Sequence, residues 1–379
     1  MEIYVHIPFC KRKCLYCDFN SYVNADGLIF GYLTALNREI ALASDSFLKL
    51  EKNKKITSVF IGGGTPSLLP ANCIEALIEN VKNSFTVDDD AEITIEANPE
   101  SLTEEKLAIY KRAGINRLSI GVQSLFDDNL KAIGRIHDAK TAQNAVALAK
   151  KYFDNISCDL MIGLPYDTKA RVCEEVEKIA EAVDHLSVYQ LILEEGTPLD
   201  LLVEEGKITL PADDEVADLM DAAVKTLREN GFSRYEVSNF ARDGKISRHN
   251  LGYWTREEYL GFGAGASTFL KMSGQTPYDA EVRYSSANSI EKYVENVNGA
   301  EDYFDIPREN VEKLDDDAIV DERIMLGLRT AYGIEKKLLP ISALEKYQRY
   351  FLIEGDKVRL TDEGFAIMNS VLVDVMQLK

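Results

Sequence analysis

Short β-branched runs in which apolar and polar residues alternate are each followed by a turn and then by a stretch whose apolar residues recur at helical spacing. This rhythm fills the first two thirds of the chain. It predicts strands over residues 3–6, 56–61, 91–97, 117–122, 156–162 and 185–191, with helices between them over 28–50, 71–85, 103–112, 141–153 and 169–182. Six strands alternating with helices imply an α/β fold with a parallel sheet and right-handed crossovers, either curled into a partial (β/α)6 barrel or laid out as a doubly wound sheet. A further helix over 213–230 leads to a run at 235–240 and then to residues 247–265, rich in aromatics and glycine. From about residue 306 the pattern changes to helices over 315–330 and 341–350, a hairpin across Glu354 and Gly355, and a last helix from Thr361, the order of a small winged-helix-like domain. The expected organisation is a barrel over 1–235, a connecting segment packed on it over 236–305, and a C-terminal winged-helix-like domain over 306–379.

Composition narrows the function classes. The 379 residues suit two or three domains, and 46% hydrophobic with 28% charged residues exclude a disordered or fibrous chain. Lys and Arg total 43 against 63 Asp and Glu, a formal charge of −20 that repels a phosphate backbone and argues against nucleic-acid affinity. The winged-helix-like region does not reverse this. Residues 315–322 hold five acids, and the stretch 344–350 offers only two basic residues to a groove, so packing on the barrel or on another protein is expected instead. No apolar run is long enough to span a bilayer and no secretory h-region opens the chain, so a cytoplasmic protein is expected.

Six cysteines are too few for a disulfide scaffold, yet Cys10, Cys14 and Cys17 fall within eight positions directly after the first strand. Three thiolates in one loop at a strand's C-terminal end point to iron–sulfur or zinc. A closed zinc site prefers two-residue spacers and a fourth ligand, which only His6 or Asp18 offers nearby. Three thiolates on a cubane cluster would leave one iron open to a cofactor. Cys73, Cys158 and Cys173 lie within predicted helices or a strand and read as buried free thiols.

The Cys-x3-Cys-x2-Cys loop after strand one resembles the radical S-adenosylmethionine superfamily. The frame Tyr4-x-His6-Ile7-Pro8-Phe9-Cys10 is similar to the branch that holds the oxygen-independent coproporphyrinogen III oxidases and the HemW heme chaperones. The resemblance covers nearly the whole chain and implies a [4Fe-4S] cluster on Cys10, Cys14 and Cys17.

Ligands of α/β sheets and barrels meet the C-terminal ends of the strands, so polar residues there carry weight. Strand two ends in Gly62-Gly63-Gly64-Thr65-Pro66, which lacks the lysine of a P-loop and the spacing of a dinucleotide fingerprint but lets a ligand approach the backbone. Glu96 ends strand three, Gln123 follows strand four, and Asp159 interrupts the apolar run of strand five, where a carboxylate must be hydrogen-bonded or paired. Arg135 is a candidate partner charge. The resemblance assigns Tyr4, Tyr16, Gly63, Gly64, Thr65, Glu96, Gln123, Arg135 and Asp159 to S-adenosyl-L-methionine.

The stretch His249-Asn250-Leu251-Gly252-Tyr253-Trp254 holds the only tryptophan and one of four histidines. From chemistry alone it reads as an aromatic patch sealing the barrel mouth. It also matches the His-Asn-x-x-Tyr-Trp motif of the HemW branch, which the resemblance links to heme, making His249 a candidate heme ligand. Where many relatives place a histidine after the run Gly261-Phe262-Gly263-Ala264-Gly265-Ala266, this chain has Ser267, which puts a ligand role for that position in doubt.

Within the branch, the oxidases carry a further cysteine two residues after the third and a long extension before the first strand. Here that position is Phe19 and the cluster frame starts at Tyr4, which favours the HemW side. The expectation is a heme chaperone that binds cluster, S-adenosylmethionine and heme and passes heme to an apo-hemoprotein, such as a membrane respiratory enzyme. The alternative is radical decarboxylation of coproporphyrinogen III to protoporphyrinogen IX. A zinc-stabilised winged-helix regulator is the third reading.

Overall fold

The computed structural model describes residues 1–50, 54–271 and 280–377. Six parallel strands pair in chain order: β1 (Glu2–Ile7), β2 (Ile56–Gly63), β3 (Val87–Ala97), β4 (Arg117–Gln123), β5 (Ile156–Ile162) and β6 (His185–Gln190). Their crossovers carry α1 (Ile29–Lys49), α2 (Ala71–Ser84), α3 (Glu104–Ala113), α4 (Asp127–Ala132), α5 (Ala139–Ala149) and α6 (Lys169–Ala180). These match the alternation of the sequence, and side-chain caps start several helices where expected: Thr103, Asp138 and Thr168 each accept a backbone N–H three residues on.

The two faces of the parallel run differ in chemistry. Ile3, Val5 and Ile7, with Val59, Ile61, Ile93, Ile95, Leu118, Ile120, Val122, Leu160 and Ile162, join the helices in one apolar core. The alternate positions, among them Ser58, Glu92, Glu96, Arg117, Ser119, Gln123, Ser157, Asp159, His185 and Tyr189, lie on the other face, as the period of two requires. A buried polar face has to be satisfied by partners or by a ligand.

After α7 (Pro198–Glu204) and α8 (Asp213–Glu229), the expected run at 235–240 is broken into β7 (Ser233–Arg234) and β8 (Asn239–Ala241), which cap the β6 edge antiparallel. Following α9 (Arg248–Trp254), β9 (Tyr259–Phe262) pairs parallel with β1 at the opposite edge. Then β10 (Ser267–Lys271), β11 (Glu281–Ser285) and, after α10 (Ile290–Gly299), β12 (Glu309–Leu314) extend it antiparallel into a twelve-stranded sheet.

The C-terminal residues form α11 (Asp316–Gly327), β13 (Ile334–Glu335), α12 (Ile341–Lys346), the hairpin β14 (Phe351–Glu354) and β15 (Lys357–Leu360), then α13 (Asp362–Ala366) and α14 (Met368–Gln377). The last helix read from Thr361 is thus two helices. This unit has its own apolar cluster of Ile324, Leu328, Val358, Leu360, Val371 and Val375. It meets the large body through the Glu236 to Thr330 bridge and the Arg228–Asp362 pair.

Candidate functional site

The loop after β1 carries Cys10, Cys14 and Cys17, all free and half-buried, into a cavity of about 310 Å³ above the C-terminal ends of the strands. Tyr16, Gly63, Gly64, Thr65, Glu96, Gln123, Arg135 and Asp159 line the same cavity. Residues spread over 150 positions of sequence thus share one chamber because β2 to β5 end beside the loop.

Each is held there by a local cause. Gly63 has φ +117, and a Cβ on it would lie 2.6 Å from the His6 ring; a Cβ on Gly64 would lie 2.8 Å from the Phe9 carbonyl oxygen and 3.0 Å from Cys10 Sγ. Only glycine lets β2 run this close under the cysteine loop. Thr65 Oγ1 sits 3.5 Å from Cys10 Sγ and accepts from Asn98 Nδ2. A register shift in β4 between Ile120 and Gln123 leaves Gln123 at φ +68, and its Oε1 accepts from Tyr189 at 2.6 Å. Arg135 donates from Nη2 to Asn98 Oδ1 and to the Gly121 carbonyl oxygen, both at 2.8 Å, and its Nη1 reaches Cys14 Sγ at 3.4 Å.

Two carboxyls lie at the cavity floor. Burial, reinforced by the nearby Asp159 carboxylate, pushes Glu96 up to about 8, while the Gly63 N–H, donating to its Oε2 at 3.0 Å, opposes the rise. Burial also raises Asp159, against hydrogen bonds from Ser187 and Ser119 and the charges of Arg117 and Arg135. Two acids forced together in a dry site make a strong attractor for a cation. Burial likewise raises the Cys10 and Cys17 thiols.

A second cavity, of about 550 Å³, adjoins the first and shares Phe19, Gly63 and Glu96 with it. Tyr4 lies here, with Tyr253, Tyr259 and Phe269 completing an aromatic lining and Ser267 on its wall. Tyr4 donates to His6 Nδ1 at 3.0 Å, and His6 Nε2 donates to the Asn20 carbonyl oxygen at 2.9 Å. Both nitrogens of His6 are therefore engaged, which removes it as a fourth zinc ligand. Among the described residues no three His, Cys, Asp or Glu side chains gather round one point as a single ion would need.

His249 is not on either cavity wall. It is 1% exposed, its Nδ1 pairs with Ser58 Oγ at 2.8 Å and its Nε2 with the Tyr253 hydroxyl at 2.9 Å, and it stacks on Phe60. Burial, with the charge of Arg117, lowers it to about 3, so the ring is neutral. Glu2 lies 3.7 Å away and is pushed by burial up to about 8, so the two are no ion pair near neutral pH. The expectation of His249 as a heme ligand meets a physical obstacle: α9 plugs the polar face behind the wall, and Tyr253 stands between the imidazole and the cavity.

Sequence reading passed over Asn98 and Tyr189, which hold Arg135 and Gln123. Asn98 was legible in principle as the polar residue next after a strand end; Tyr189 lies on a strand whose alternation puts it on the same face as Asp159, whose direct neighbour is Ser187. Arg256, Arg283 and Glu322, on the wall of the second cavity, had no local signal.

This arrangement of cysteine loop, glycine turn and acidic floor is that of a radical S-adenosylmethionine protein, and the model of the Radical SAM superfamily matches residues 4–179. The chain is 35% identical over 349 residues to the heme chaperone HemW of Bacillus subtilis (strain 168), covering 91% of this chain and 86% of that one. It is 34% identical over 397 residues to Radical S-adenosyl methionine domain-containing protein 1, mitochondrial, of Bos taurus, covering 99% and 87%. Coproporphyrinogen III oxidase (HemN) from Escherichia coli, a solved structure, superposes with a TM-score of 0.79 at 20% identity over 98% of this chain and 89% of that one, which shows a shared fold. The chain belongs to the HemW family of the Radical SAM superfamily.

Proposed function

We propose that the protein is a heme chaperone that holds a [4Fe-4S] cluster and S-adenosyl-L-methionine in the first cavity, takes heme into the second, and passes it to an apo-hemoprotein. The observation that carries this reading is the adjoining aromatic cavity: its size lies in the range of cofactor sites, and flat aromatic walls suit a porphyrin face. Family membership implies the cluster and S-adenosylmethionine, and the residues present fit them. Cys10, Cys14 and Cys17 open into one chamber, with Arg135 beside Cys14, and three thiols are the donor set such a cluster takes. When bound, the cluster supplies an electron and an open coordination site.

The chain's own groups do the rest of the binding. Glu96 and Asp159 provide negative charge for the ammonium and sulfonium of S-adenosylmethionine, Gly63 and Gly64 open the backbone to its head group, and Gln123 and Thr65 offer hydrogen bonds. In the second cavity, Tyr253 is the member of the His-Asn-x-x-Tyr-Trp motif that faces the ligand, and a tyrosine oxygen is a known heme ligand type. His249 then acts on heme by holding Tyr253. The six free cysteines suit a reducing compartment such as the cytoplasm, and among the described residues no helix is long and apolar enough to cross a membrane. The recipient, a membrane respiratory enzyme for instance, is part of the proposal.

The test is to reconstitute the cluster anaerobically, add one equivalent of heme, desalt and record the Soret band. Retained heme with a defined band is expected, shifted in Tyr253→Phe and in His249→Ala. Loss of all heme, with protoporphyrinogen IX accumulating from coproporphyrinogen III, would replace this reading by the decarboxylase one.

A further inference from the structure

On the wall of the aromatic cavity a carboxylate from the C-terminal unit is held between two arginines of the large body. Glu322 on α11 accepts from Arg256 Nε through Oε2 at 2.9 Å and from Arg283 Nη2 through Oε1. Both guanidiniums lie over the Phe269 ring, 5.1 and 5.6 Å from its centroid, and Arg256 is almost wholly buried at φ +58. Each arginine also has a second acid: Glu281 for Arg256 at 2.6 Å and Glu312 for Arg283 at 3.1 Å. Leu326, one turn further along α11, lines the same cavity. One helix of the C-terminal unit therefore closes part of the cavity wall, and it is held there in part by a carboxylate shared between two cations.

Two guanidiniums fixed on an aromatic ring form a fork shaped for a carboxylate. We propose that the Arg256–Arg283 pair is the docking point for a carboxylate side chain of the tetrapyrrole, that Glu322 occupies this point in the empty protein, and that loading exchanges one carboxylate for the other and loosens α11 from the cavity. This rests on the heme-chaperone reading and adds to it the ligand group recognised and the element that responds. The exchange is like for like. Charge in the fork is conserved, so buried Arg256 and partly exposed Arg283 are never left bare, and Glu281 and Glu312 compensate them during the swap. A ligand with its carboxylates blocked would find no advantage in displacing Glu322.

The experiment compares hemin with hemin dimethyl ester on the full chain. Glu322→Gln, which keeps shape and removes the competing charge, should bind hemin more tightly by about tenfold or more, the scale of one charge-assisted hydrogen bond, with ester affinity unchanged. Arg283→Gln should weaken hemin and leave the ester alone. In the unmutated chain, hydrogen exchange at α11 should rise on adding hemin and stay level with the ester, a readout that needs no variant to fold. Equal gains for hemin and ester in Glu322→Gln, or hemin binding with unchanged exchange at α11, would overturn the fork while leaving the chaperone reading intact. Failure of the parent chain and Glu322→Gln alike to bind hemin would overturn both.

Discussion

Cys14 differs from its two partners in having a guanidinium against its sulfur, Arg135 Nη1 at 3.4 Å. A serine oxygen there is a poor replacement for a thiolate, so Cys14→Ser should lose most of the iron after anaerobic reconstitution, and full iron retention would refute the cluster assignment. Asp159→Ala should do the opposite, keeping iron while weakening S-adenosylmethionine binding, because Asp159 touches Ser119 on the cavity floor and is no neighbour of the cysteine loop in sequence. Glu96 gives a pH signature. Its folded value of about 8 lies above the ordinary 4.5, so between these limits the native state holds a proton that the unfolded chain releases. Stability contributed by that proton is present at low pH and lost as pH rises through the window, by at most about 1.4 kcal/mol per pH unit for one group. In Glu96→Gln the slope of unfolding free energy between about pH 5 and 8, from urea titrations, should flatten; an unchanged slope would mean that Glu96 is already ionised. S-adenosylmethionine, a cation, should favour the deprotonated acid and so bind the parent chain more tightly as pH rises towards 8.

Among elements, the strand ends decide the site, and β4 shows how. Its register shift turns Gln123 into the left-handed region, a conformation worth about 1–2 kcal/mol of strain for a residue with a Cβ. Strain held at a strand end beside a cavity goes with function. Gln123→Gly should relieve it while losing the bond from Tyr189, so the unfolding free energy should move by less than about 1 kcal/mol while S-adenosylmethionine affinity falls. A large stability loss with unchanged affinity would make Gln123 a structural residue. Much of this level was readable beforehand. The six parallel strands, the cysteine loop and the polar residues at strand ends follow from alternation and position alone, because short-range pattern dictates which face is buried. What could not be read is non-local. β9 joins β1 across more than 250 residues, and its four residues carry too little alternation to announce a parallel partner. The His249 motif marks a candidate ligand, but a one-dimensional motif cannot say whether an imidazole lines a cavity or stands behind a tyrosine that does.

The molecule as a whole has two apolar cores joined by few contacts. The large one runs from Ile3 to Ile306, and the small one from Ile324 to Val375 is tied to it by the Thr330 bridge, the stacking of Arg234 on Phe240 and Phe365, and the pairs made by Arg228 and Glu322. Exposed pairs such as Arg228 to Asp362 contribute little, so the link rests on the buried residues at the seam. The cavity proposed for S-adenosylmethionine is lined by residues of the large body. By mass action, ligand at about a hundred times its dissociation constant stabilises the species that binds it by about 2.7 kcal/mol, which for a body of this size raises its midpoint by roughly 5 °C. Calorimetry of the full, cluster-loaded chain should therefore show two transitions, of which only the larger moves with S-adenosylmethionine. A single transition that moves as one would mean that the seam couples the cores more strongly than these contacts imply. Hemin adds the decisive contrast, since displacing Glu322 cuts one of the few ties at the seam: the smaller transition should fall on hemin loading while the larger rises, and hemin dimethyl ester should raise the larger without lowering the smaller.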